Sequence, residues 1–409
     1  MKTLKIITFN FAIFFILLEI GSFIFTELNY FKINEVPTIY RSEKYLSLGN
    51  WKTENSVWGA WHRANKMAYH SSSCFSVSYQ SNEVGARDET FTNLNEATNI
   101  LLIGDSFAEG FASAKDKTAE VLIEKKLNLN LLNFGASENF GPLQYYLIYK
   151  NLAKNYKHDA VLIFLLPNND FTDNDYQYWV RSRQAFLESG LERYRPYYRI
   201  DDAPQYQTFI PKNAIKRDSF ENMSSGMNPG IMKFLKDHFF IYNLIYTFNW
   251  KYKDIKEFAM PRADIKVGSG NEPTSSKSYA GYFDSSIDQQ KAAIFYLDKI
   301  ITGEKGKPVI IVSIPELASI NRARDSRNHD DYKSQFWYRH LTEASRNKNV
   351  YFLDLMNLDE PSPENLFLKC DGHWSPYGNQ LAAEKISDFI KTNLKELIEA
   401  NQVRKNLHN

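Results

Sequence analysis

Short apolar runs alternate with segments of helical period from Asn99 to the end of the chain. This alternation is typical of a parallel β-sheet covered by helices on both faces. The apolar runs predict five strands, at residues 100–103, 131–134, 160–166, 309–314 and 350–353. The segments of helical period predict helices at residues 118–127, 143–156, 289–301, 332–347 and 376–398. The pattern therefore predicts an α/β fold, with a five-stranded parallel sheet between two helical layers.

A longer apolar run begins the chain. Residues 4–25 are almost continuously apolar, with Lys2 and Lys5 at the start of the run. About 20 such residues span a hydrocarbon core of ~30 Å as a helix, and the leading positive charge keeps the N-terminus in the cytoplasm. No small-x-small cleavage site follows closely, which favours an uncleaved signal-anchor over a removed signal peptide or a buried soluble helix. We expect a single-pass membrane protein whose remaining chain is periplasmic or extracellular.

One acidic residue, Glu19, interrupts this apolar run. An ionised carboxylate costs roughly 2.5 kcal/mol or more inside a membrane. Two interpretations stay open. Glu19 contacts a membrane partner, or, as the pattern favours, it is a polar residue tolerated near the outer boundary.

The chain divides into four predicted parts. Residues 1–28 form the transmembrane signal-anchor, and residues 29–97 an N-terminal extension that packs on the core and ends in a short strand at 76–79. Residues 98–170 and 287–400 together form the core α/β domain. They are separated by an insertion or lid, residues 171–286, which is far longer than the usual connection of 2–6 residues. A helix is predicted at 234–250 and a flexible exit at 268–273.

The first part of the insertion is rich in aromatic residues and arginines, among them Trp179, Tyr197 and Arg195. Ligands of open α/β sheets bind outside the carboxyl ends of the strands. One interpretation is that these side chains overhang a pocket for sugars or anionic acids. The other, which the usual role of Tyr and Phe favours, is that they form the insertion's own small core.

Charge and cysteine content narrow the range of partners. The 409 residues carry a formal net charge of +1, with no basic stripe of the kind that nucleic-acid binding needs, so a nucleic-acid partner is excluded. The two cysteines, Cys74 and Cys370, would enter an oxidising compartment on export. A disulfide between them and a pair of unpaired buried thiols both remain open.

A serine nucleophile and its base are predicted at two distant places. The first strand is followed by Gly104-Asp105-Ser106-Phe107, which holds the Ser106 hydroxyl at a strand-to-helix turn. Asp371-Gly372-His373 directly precedes the last helix. His373 is the predicted general base, and Asp371 would orient its ring and stabilise the imidazolium. The alternative for the first motif is a helix cap without chemistry.

Polar groups at the ends of the next two strands complete this prediction. Attack on an ester forms an oxyanion that needs donors at about 2.7–3.1 Å. The sequence offers the Ser106 N–H, the Gly135 N–H after the second strand and the Asn169 side-chain amide after the third. No metal ligand set and no organic cofactor are expected.

These blocks resemble the SGNH, or GDSL-type, hydrolase superfamily. The resemblance covers residues 79–170 and 288–389 and implies a flavodoxin-like sheet with Ser106, Asn169, Asp371 and His373 in the site. It also includes residues 82–88, which resemble the segment before the nucleophile in membrane-anchored members.

Three positions depart from the family pattern. Pro167 stands where the third block usually begins with Gly. The family's oxyanion Gly often lies further along, near Glu138 or Gly141. Asp371 and His373 are two residues apart, as in the D-x-H-W pattern of alginate-type sugar O-acetyltransferases, whereas the usual spacing is three. The resemblance therefore implies acyl transfer as an alternative to hydrolysis.

Three functions follow as hypotheses. The first is a membrane-anchored serine esterase that acts outside the cytoplasm and deacylates a carbohydrate or another cell-envelope ester. The second is an O-acetyltransferase that passes the acyl group to an exported polysaccharide. The third is a catalytically silent SGNH-like module that binds glycans, which a Ser106→Ala variant with its full cellular effect would favour.

Overall fold

The computed structural model describes most of the chain. The described residues are 2–28, 33, 36–37, 46, 51–72, 74–92, 94–184, 193–212, 214, 229–259, 279–325, 331–347, 349–358 and 360–408.

Nine strands form three sheets within these residues. In chain order they are β1 Lys52–Asn55, β2 Gly59–His62, β3 Met67–Ser71, β4 Ser76–Gln80, β5 Asn99–Ile103, β6 Asn130–Asn133, β7 Ala160–Leu165, β8 Val309–Ser313 and β9 Val350–Asp354. The five last strands form one parallel sheet in the order β6-β5-β7-β8-β9. The predicted α/β fold with a five-stranded parallel sheet is confirmed, and each predicted core strand lies within two residues of an observed one.

Fourteen α-helices occur in the same described segments. They are α1 Lys2–Glu27, α2 Ser106–Glu109, α3 Ala119–Leu127, α4 Pro142–Asn151, α5 Pro167–Asp170, α6 Tyr176–Gln184, α7 Pro229–His238, α8 Phe240–Ala259, α9 Gly281–Asp284, α10 Ile287–Gly303, α11 Leu317–Asp325, α12 Phe336–Ala344, α13 Pro376–Asn393 and α14 Lys395–His408. Two predicted helices are each divided. Residues 376–398 cover α13 and the start of α14, and residues 234–250 cover parts of α7 and α8.

Local sequence signals set where the core helices begin. The Thr118 hydroxyl accepts a hydrogen bond from the Val121 N–H at the start of α3, and Ser375 does the same for Gly378 at the start of α13. Ser286 and Gln289 form a capping box at the start of α10. Such side chains satisfy N–H groups that have no partner within the helix.

The helices lie in two layers, one on each face of the sheet. Helices α3 and α13 pack against each other, and α10 packs with α4 and α12. Right-handed crossovers place these two groups on opposite faces, because the chain moves one way from β5 to β6 and the other way from β6 to β9. Strands β5, β7 and β8 are buried along their whole length, as expected of strands covered on both faces.

The segment before the sheet forms two antiparallel hairpins, β1-β2 and β3-β4. The strand predicted at 76–79 is confirmed as β4. Trp51, Ala68, Val77 and Tyr79 form a small buried cluster of their own. The proposed limits of the extension, the core domain and the insertion stay predictions.

The N-terminal apolar run forms a single helix. Residues Lys5–Thr26 of α1 are long and apolar enough to cross a membrane, and a signal sequence near an N-terminus has the same properties. The orientation in a membrane stays a prediction. The predicted flexible exit at 268–273 lies outside the described residues.

Candidate active site

Ser106, the predicted nucleophile, lies where β5 meets α2. Gly104 allows a close approach, because a Cβ there would lie 2.8 Å from the Ala108 Cβ and 3.1 Å from the Phe164 Cβ. The Asp105 side chain then caps the short helix α2 by accepting a hydrogen bond of 2.9 Å from the Phe107 N–H. Ser106 is the first residue of this helix, so its hydroxyl stands at the carboxyl edge of the sheet.

The structure brings Ser106, His373 and Asp371 together across 267 residues of chain. The His373 Nε2 lies 2.7 Å from the Ser106 Oγ. On the other side of the ring, His373 Nδ1 contacts Asp371 Oδ1, which also accepts a hydrogen bond of 2.9 Å from the His373 N–H. Burial favours the protonated carboxyl, yet the hydrogen bonds and charge of His373 outweigh it and lower the pKa of Asp371. The carboxylate form needed to orient a base is therefore favoured.

Aromatic rings hold the imidazole in place. The His373 ring lies between Phe107 and Phe111, with centroid distances of 5.1 and 4.5 Å. Trp374 is buried and packs edge-on against Phe107 and Phe164. These contacts restrict the ring to the side that faces Ser106.

A disulfide joins the loop of the base to the N-terminal hairpins. Cys74 and Cys370 are bonded, with their Cα atoms 5.8 Å apart. Cys370 directly precedes Asp371, so the bond fixes one end of the short segment that carries both partners of Ser106. On the other side the Leu368 N–H donates a hydrogen bond of 2.9 Å to the His373 carbonyl. Of the two open interpretations of the cysteines, a disulfide or two unpaired thiols, the structure has the disulfide.

The C-terminal part of the chain matches a family model. Residues 289–408 match the SGNH hydrolase-like domain of acetyltransferase AlgX. The predicted SGNH resemblance is confirmed. The matched range includes Asp371 and His373. Ser106, the predicted nucleophile, lies before this range. The predicted class, a hydrolase of ester bonds or a related acyltransferase, is confirmed with it. No sequence of a curated protein matches the chain.

Solved structures of ester hydrolases are similar to the chain at low identity. A protein assigned to the lipolytic G-D-S-L family from Desulfitobacterium hafniense DCB-2 is 13% identical, covers 71% of this chain and 99% of its own, and has a TM-score of 0.33. The acetyl xylan esterase Est2A from Butyrivibrio proteoclasticus is 10% identical, with coverages of 73% and 64% and a TM-score of 0.34. The family 3 carbohydrate esterase of Clostridium thermocellum is 10% identical, with coverages of 74% and 98% and a TM-score of 0.32.

Two of the three predicted oxyanion donors, the Ser106 N–H and the Asn169 side-chain amide, belong to segments that meet at Asp105. Among the described residues, no group accepts a hydrogen bond from the Ser106 N–H. The Asn169 amide lies above Asp105, with Nδ2 3.5 Å from Asp105 Oδ2 and 2.9 Å from Asp173 Oδ2. The amide therefore sits next to the residue that precedes Ser106.

Gly135, the third predicted donor, lies in the loop after β6. Its N–H donates a hydrogen bond of 2.8 Å to the Asn133 side chain, just as the Asn169 amide donates to Asp173, and its role as an oxyanion donor stays a prediction. A Cβ at this position would lie 2.4 Å from the Glu109 nitrogen. Gly135 is therefore a packing residue that lets the loop after β6 approach α2.

Two buried carboxyl groups, Asp105 and Asp170, belong to the segments that carry Ser106 and Asn169. Burial raises the pKa of Asp105 to about 6, although the Phe107 N–H and His373 oppose the rise. Asp170 is fully buried and accepts hydrogen bonds from the Tyr145 hydroxyl (2.6 Å) and the Leu166 N–H (2.7 Å). Burial, followed by the charge of Asp105, raises the pKa of Asp170 well above its usual range. Asp170 is thus a structural group of the third block that holds the turn carrying Asn169.

A buried ion cluster that was not predicted from the sequence lies at the end of α2. The Lys52 Nζ lies 2.9 Å from Glu109 Oε2 and 2.6 Å from the Ser137 hydroxyl. The Ser137 N–H and the His62 ring also contact Glu109. Burial alone would raise the pKa of Glu109, yet Lys52 and His62 hold it well below its usual range. In the sequence, Glu109 stands directly before Gly110 at the end of a short helix, and this pattern does not indicate that its side chain is buried.

Arg87 is a second residue near the site whose role was not predicted from the sequence. Its guanidinium donates to the carbonyls of Glu109 (3.0 Å), Gly110 (2.5 Å) and Ser113 (2.7 Å) and stacks on the Tyr79 ring at 4.1 Å. Arg87 therefore satisfies the carboxyl end of the nucleophile helix. The sequence signal for Arg87 was the resemblance of residues 82–88 to membrane-anchored SGNH proteins, and that resemblance gave the residue no role.

The aromatic residues of the insertion mostly pack. Tyr197 and Tyr198 are fully buried, and the Arg195 guanidinium stacks on Trp179 at 4.3 Å and on Tyr197 at 4.8 Å. An open cavity of about 640 Å³ lies beside them, away from the triad, lined by Tyr176, Gln177, Val180, Arg199, Ile200, Asp201 and Asp288. Within the described part of the chain, no group of three or more His, Cys, Asp or Glu side chains is arranged to hold a metal.

Proposed function

We propose that this chain is a membrane-anchored SGNH serine esterase that acts outside the cytoplasm through an acyl-Ser106 intermediate. The observation that carries the proposal is the continuous contact from Ser106 Oγ through the His373 ring to Asp371. A serine hydroxyl is a weak nucleophile until an oriented base removes its proton, and this arrangement supplies that base.

The proposed reaction has two halves. Ser106 Oγ attacks the ester carbonyl carbon while His373 Nε2 takes the hydroxyl proton, and the carbonyl oxygen becomes an oxyanion. The Ser106 N–H and the Asn169 amide stabilise that charge. The intermediate collapses, the C–O bond to the alcohol breaks, and the leaving alkoxide takes the proton from His373. A second hydroxyl compound then attacks the acyl-serine, with His373 again as base, and frees Ser106.

We place the substrate among acylated carbohydrates or other cell-envelope esters. The support is the apolar helix α1, which would hold the enzyme at a membrane, and the Cys74–Cys370 disulfide, which suits an oxidising compartment. The AlgX match is to a domain of an acetyltransferase, so acetyl is the first acyl group to test.

A second candidate function is O-acetyl transfer to a polysaccharide. Two observations favour it, namely the AlgX match of residues 289–408 and the two-residue spacing of Asp371 and His373 before Trp374. Both functions share the acyl-serine, and they differ in whether water or a sugar hydroxyl attacks it.

Covalent labelling tests the nucleophile. The full chain in detergent is treated with a serine-directed fluorophosphonate and with an acetyl ester. We expect one label on Ser106, lost in Ser106→Ala, while the control variant Ser345→Ala, which changes a serine just after α12, labels normally. Labelling that is unchanged in Ser106→Ala would overturn the proposal.

Product analysis separates the two functions. The acetyl-enzyme is formed from a labelled acetyl ester in the presence of an oligosaccharide, and free acetate and acetylated sugar are both measured. The esterase predicts acetate alone, whereas the transferase predicts acetylated sugar at the expense of acetate. The absence of both products with every acyl donor would favour the silent glycan-binding module.

A further inference from the structure

Helix α1 is held by a part of the insertion through Glu19. The Glu19 carboxylate accepts hydrogen bonds from the N–H groups of Phe240 (2.6 Å) and Ile241 (3.0 Å), the first residues of α8. Two ring pairs flank this contact, Phe15 with Phe239 at 5.5 Å and Phe23 with Phe240 at 5.3 Å. A carboxylate at a helix N-terminus satisfies N–H groups that the helix leaves open and suits the helix dipole.

The helices around this contact bury their polar side chains and expose their apolar ones. Ser22 of α1 and both Asn243 and Thr247 of α8 are buried. The outward surface of α7 and α8 carries large apolar side chains that are 38–54% exposed, namely Ile231, Phe234, Ile245, Tyr246 and Phe248. In water, both the burial of these polar side chains and the exposure of these apolar side chains are unfavourable. In a bilayer, polar groups are placed between helices and apolar side chains face lipid.

We propose that α7 and α8, together the α7–α8 hairpin, enter the outer hydrocarbon layer of the lipid bilayer beside α1. The proposal rests on the proposed function only in that α1 is taken as a membrane anchor. The exposed apolar side chains of the hairpin continue the apolar surface of α1, so lipid is the occupant that suits both. Glu19, costly as an isolated charge in a membrane, then has two N–H partners at the tip of the hairpin.

The hairpin is too short to cross the membrane. The apolar part of α8 covers residues 240–250, about 16 Å at 1.5 Å per residue, which is roughly half of a hydrocarbon core. Glu19 lies seven residues before Thr26, about 10 Å from the outer end of the apolar span. The tip at Phe239 and Phe240 therefore reaches about a third of the way into the membrane, and the hairpin returns to the outer side.

The backbone of such a hairpin must be satisfied within the protein, since lipid offers no hydrogen bonds. Glu19 serves the first two N–H groups of α8. The Asn243 side chain donates a hydrogen bond of 2.8 Å to the Lys236 carbonyl near the end of α7. One side chain thus serves each side of the connection, Glu19 at the start of α8 and Asn243 near the end of α7.

Fluorescence quenching tests the location of the hairpin. Single cysteines replace Phe14 in α1, Phe234 in α7, Phe248 in α8 and the exposed Lys125 in α3, each in the full chain, and are labelled with an NBD dye. The native cysteines do not react because they are bonded to each other. The variants are reconstituted in phosphatidylcholine vesicles with either doxyl-labelled lipid or aqueous iodide as quencher.

We expect doxyl lipid to remove most of the emission at positions 14, 234 and 248, and iodide to remove it at position 125. Quenching of positions 234 and 248 by iodide, with position 14 still quenched by lipid, overturns the hairpin proposal and leaves the anchor intact. Iodide quenching at position 14 overturns the anchor itself. Protection of positions 234 and 248 from both quenchers, with energy transfer between chains, indicates a second copy as occupant and also overturns the proposal.

A second measurement examines the role of Glu19. Cysteines at Phe15 and Phe239 are expected to cross-link in the vesicles, and Glu19→Leu is expected to abolish the cross-link, while Glu19→Gln keeps part of it through its amide oxygen. Fluorophosphonate labelling of Ser106 monitors folding in all three proteins. Cross-linking that is unchanged in Glu19→Leu with normal Ser106 labelling would contradict the docking by Glu19.

Discussion

At the scale of single residues, the site depends on a few side chains whose surroundings set their chemical state. His373 is held between two phenyl rings and bonded on both nitrogens, to Ser106 and to Asp371. The Asp371 carboxylate is favoured by its contacts with His373, whereas burial raises the pKa of the neighbouring carboxyls Asp105 and Asp170. Carboxyl groups in one small region therefore have different roles.

The oxyanion assignment gives a prediction at this scale. Asn169→Ala is expected to lower kcat by about 10²–10³-fold with little change in KM, because the lost donor acts on charge that develops in the transition state. The measurement is steady-state hydrolysis of an acetyl ester by the full chain. Gly135→Ala is the contrasting variant. We expect it to lose stability by clashing with the Glu109 nitrogen, so a selective loss of kcat in Gly135→Ala at normal stability would support Gly135 as a donor.

At the scale of elements, the sheet and its loops bring the parts together. The loop that carries Asp371 and His373 is held by the start of α13, by the Leu368–His373 backbone contact and by the disulfide. The nucleophile turn is held by Arg87 at the end of α2. Each short catalytic segment is thus fixed by contacts from a different part of the chain.

Removal of the disulfide tests the support of the base loop. Cys74→Ser with Cys370→Ser is expected to lower the free energy of unfolding by about 2–4 kcal/mol and to slow the labelling of Ser106, because the loop loses its tie to the hairpins. Thermal unfolding and fluorophosphonate labelling measure the two effects. Reduction of the unmodified chain should have the same result, and a double variant that labels at the normal rate would show that the other contacts hold the loop alone.

Glu124 of α3 predicts a pH dependence. Its Oε1 accepts a hydrogen bond of 2.8 Å from the Leu131 N–H at β6, and burial raises its pKa to about 7. The folded protein therefore keeps a proton that the unfolded chain releases near pH 4.3, so this group's contribution to stability is lost as pH rises from about 4 to 7.

Replacement of Glu124 should remove that loss. Glu124→Gln keeps an oxygen acceptor for the Leu131 N–H and has no charge to bury, so at pH 8 we expect it to be more stable than the parent by on the order of 1 kcal/mol. Urea unfolding at pH 5 and pH 8 measures the difference, with the exposed Glu399→Gln as control. An equal decline with pH in Glu124→Gln and the parent chain would contradict the assignment.

At the scale of the whole molecule, the N-terminal hairpins are joined to the sheet by buried charge. Lys52 of β1 meets Glu109 of α2, and both side chains are almost fully buried. A buried ion pair adds little net stability, but the removal of one partner leaves an uncompensated charge. The pair therefore fixes how the hairpins are placed against the nucleophile helix.

A double-mutant cycle tests this connection. Lys52→Met is expected to lower the free energy of unfolding by about 3–5 kcal/mol, and Lys52→Met with Glu109→Gln is expected to recover a large part, since no charge is then left buried. Chemical unfolding of the four proteins gives the coupling energy. Additive losses in the double variant would show that the two side chains act independently.

Much of the fold followed from local pattern. The aliphatic runs of β5, β7 and β8 are continuous because these strands are covered on both faces, and the capping residues of α3, α10 and α13 stand at the helix starts. Ser106 and His373 were recognisable because each follows a local motif at the end of an element. These features depend on residues that are neighbours in the sequence, and such residues determine strand and helix periodicity.

The remaining features depend on contacts between distant residues. Lys52, Glu109 and Arg87 look like ordinary surface charges in the sequence, and only tertiary packing buries them together. The hydrogen bond that occupies the Gly135 N–H and the two N–H partners of Glu19 likewise arise from segments that the chain brings together on folding. The sequence by itself determined the sheet and most of its helices, and it predicted Ser106, Asp371 and His373 as the residues of the site. The tertiary structure decided which charges are buried and which groups they pair with, because burial and partner choice depend on distances that local periodicity does not contain.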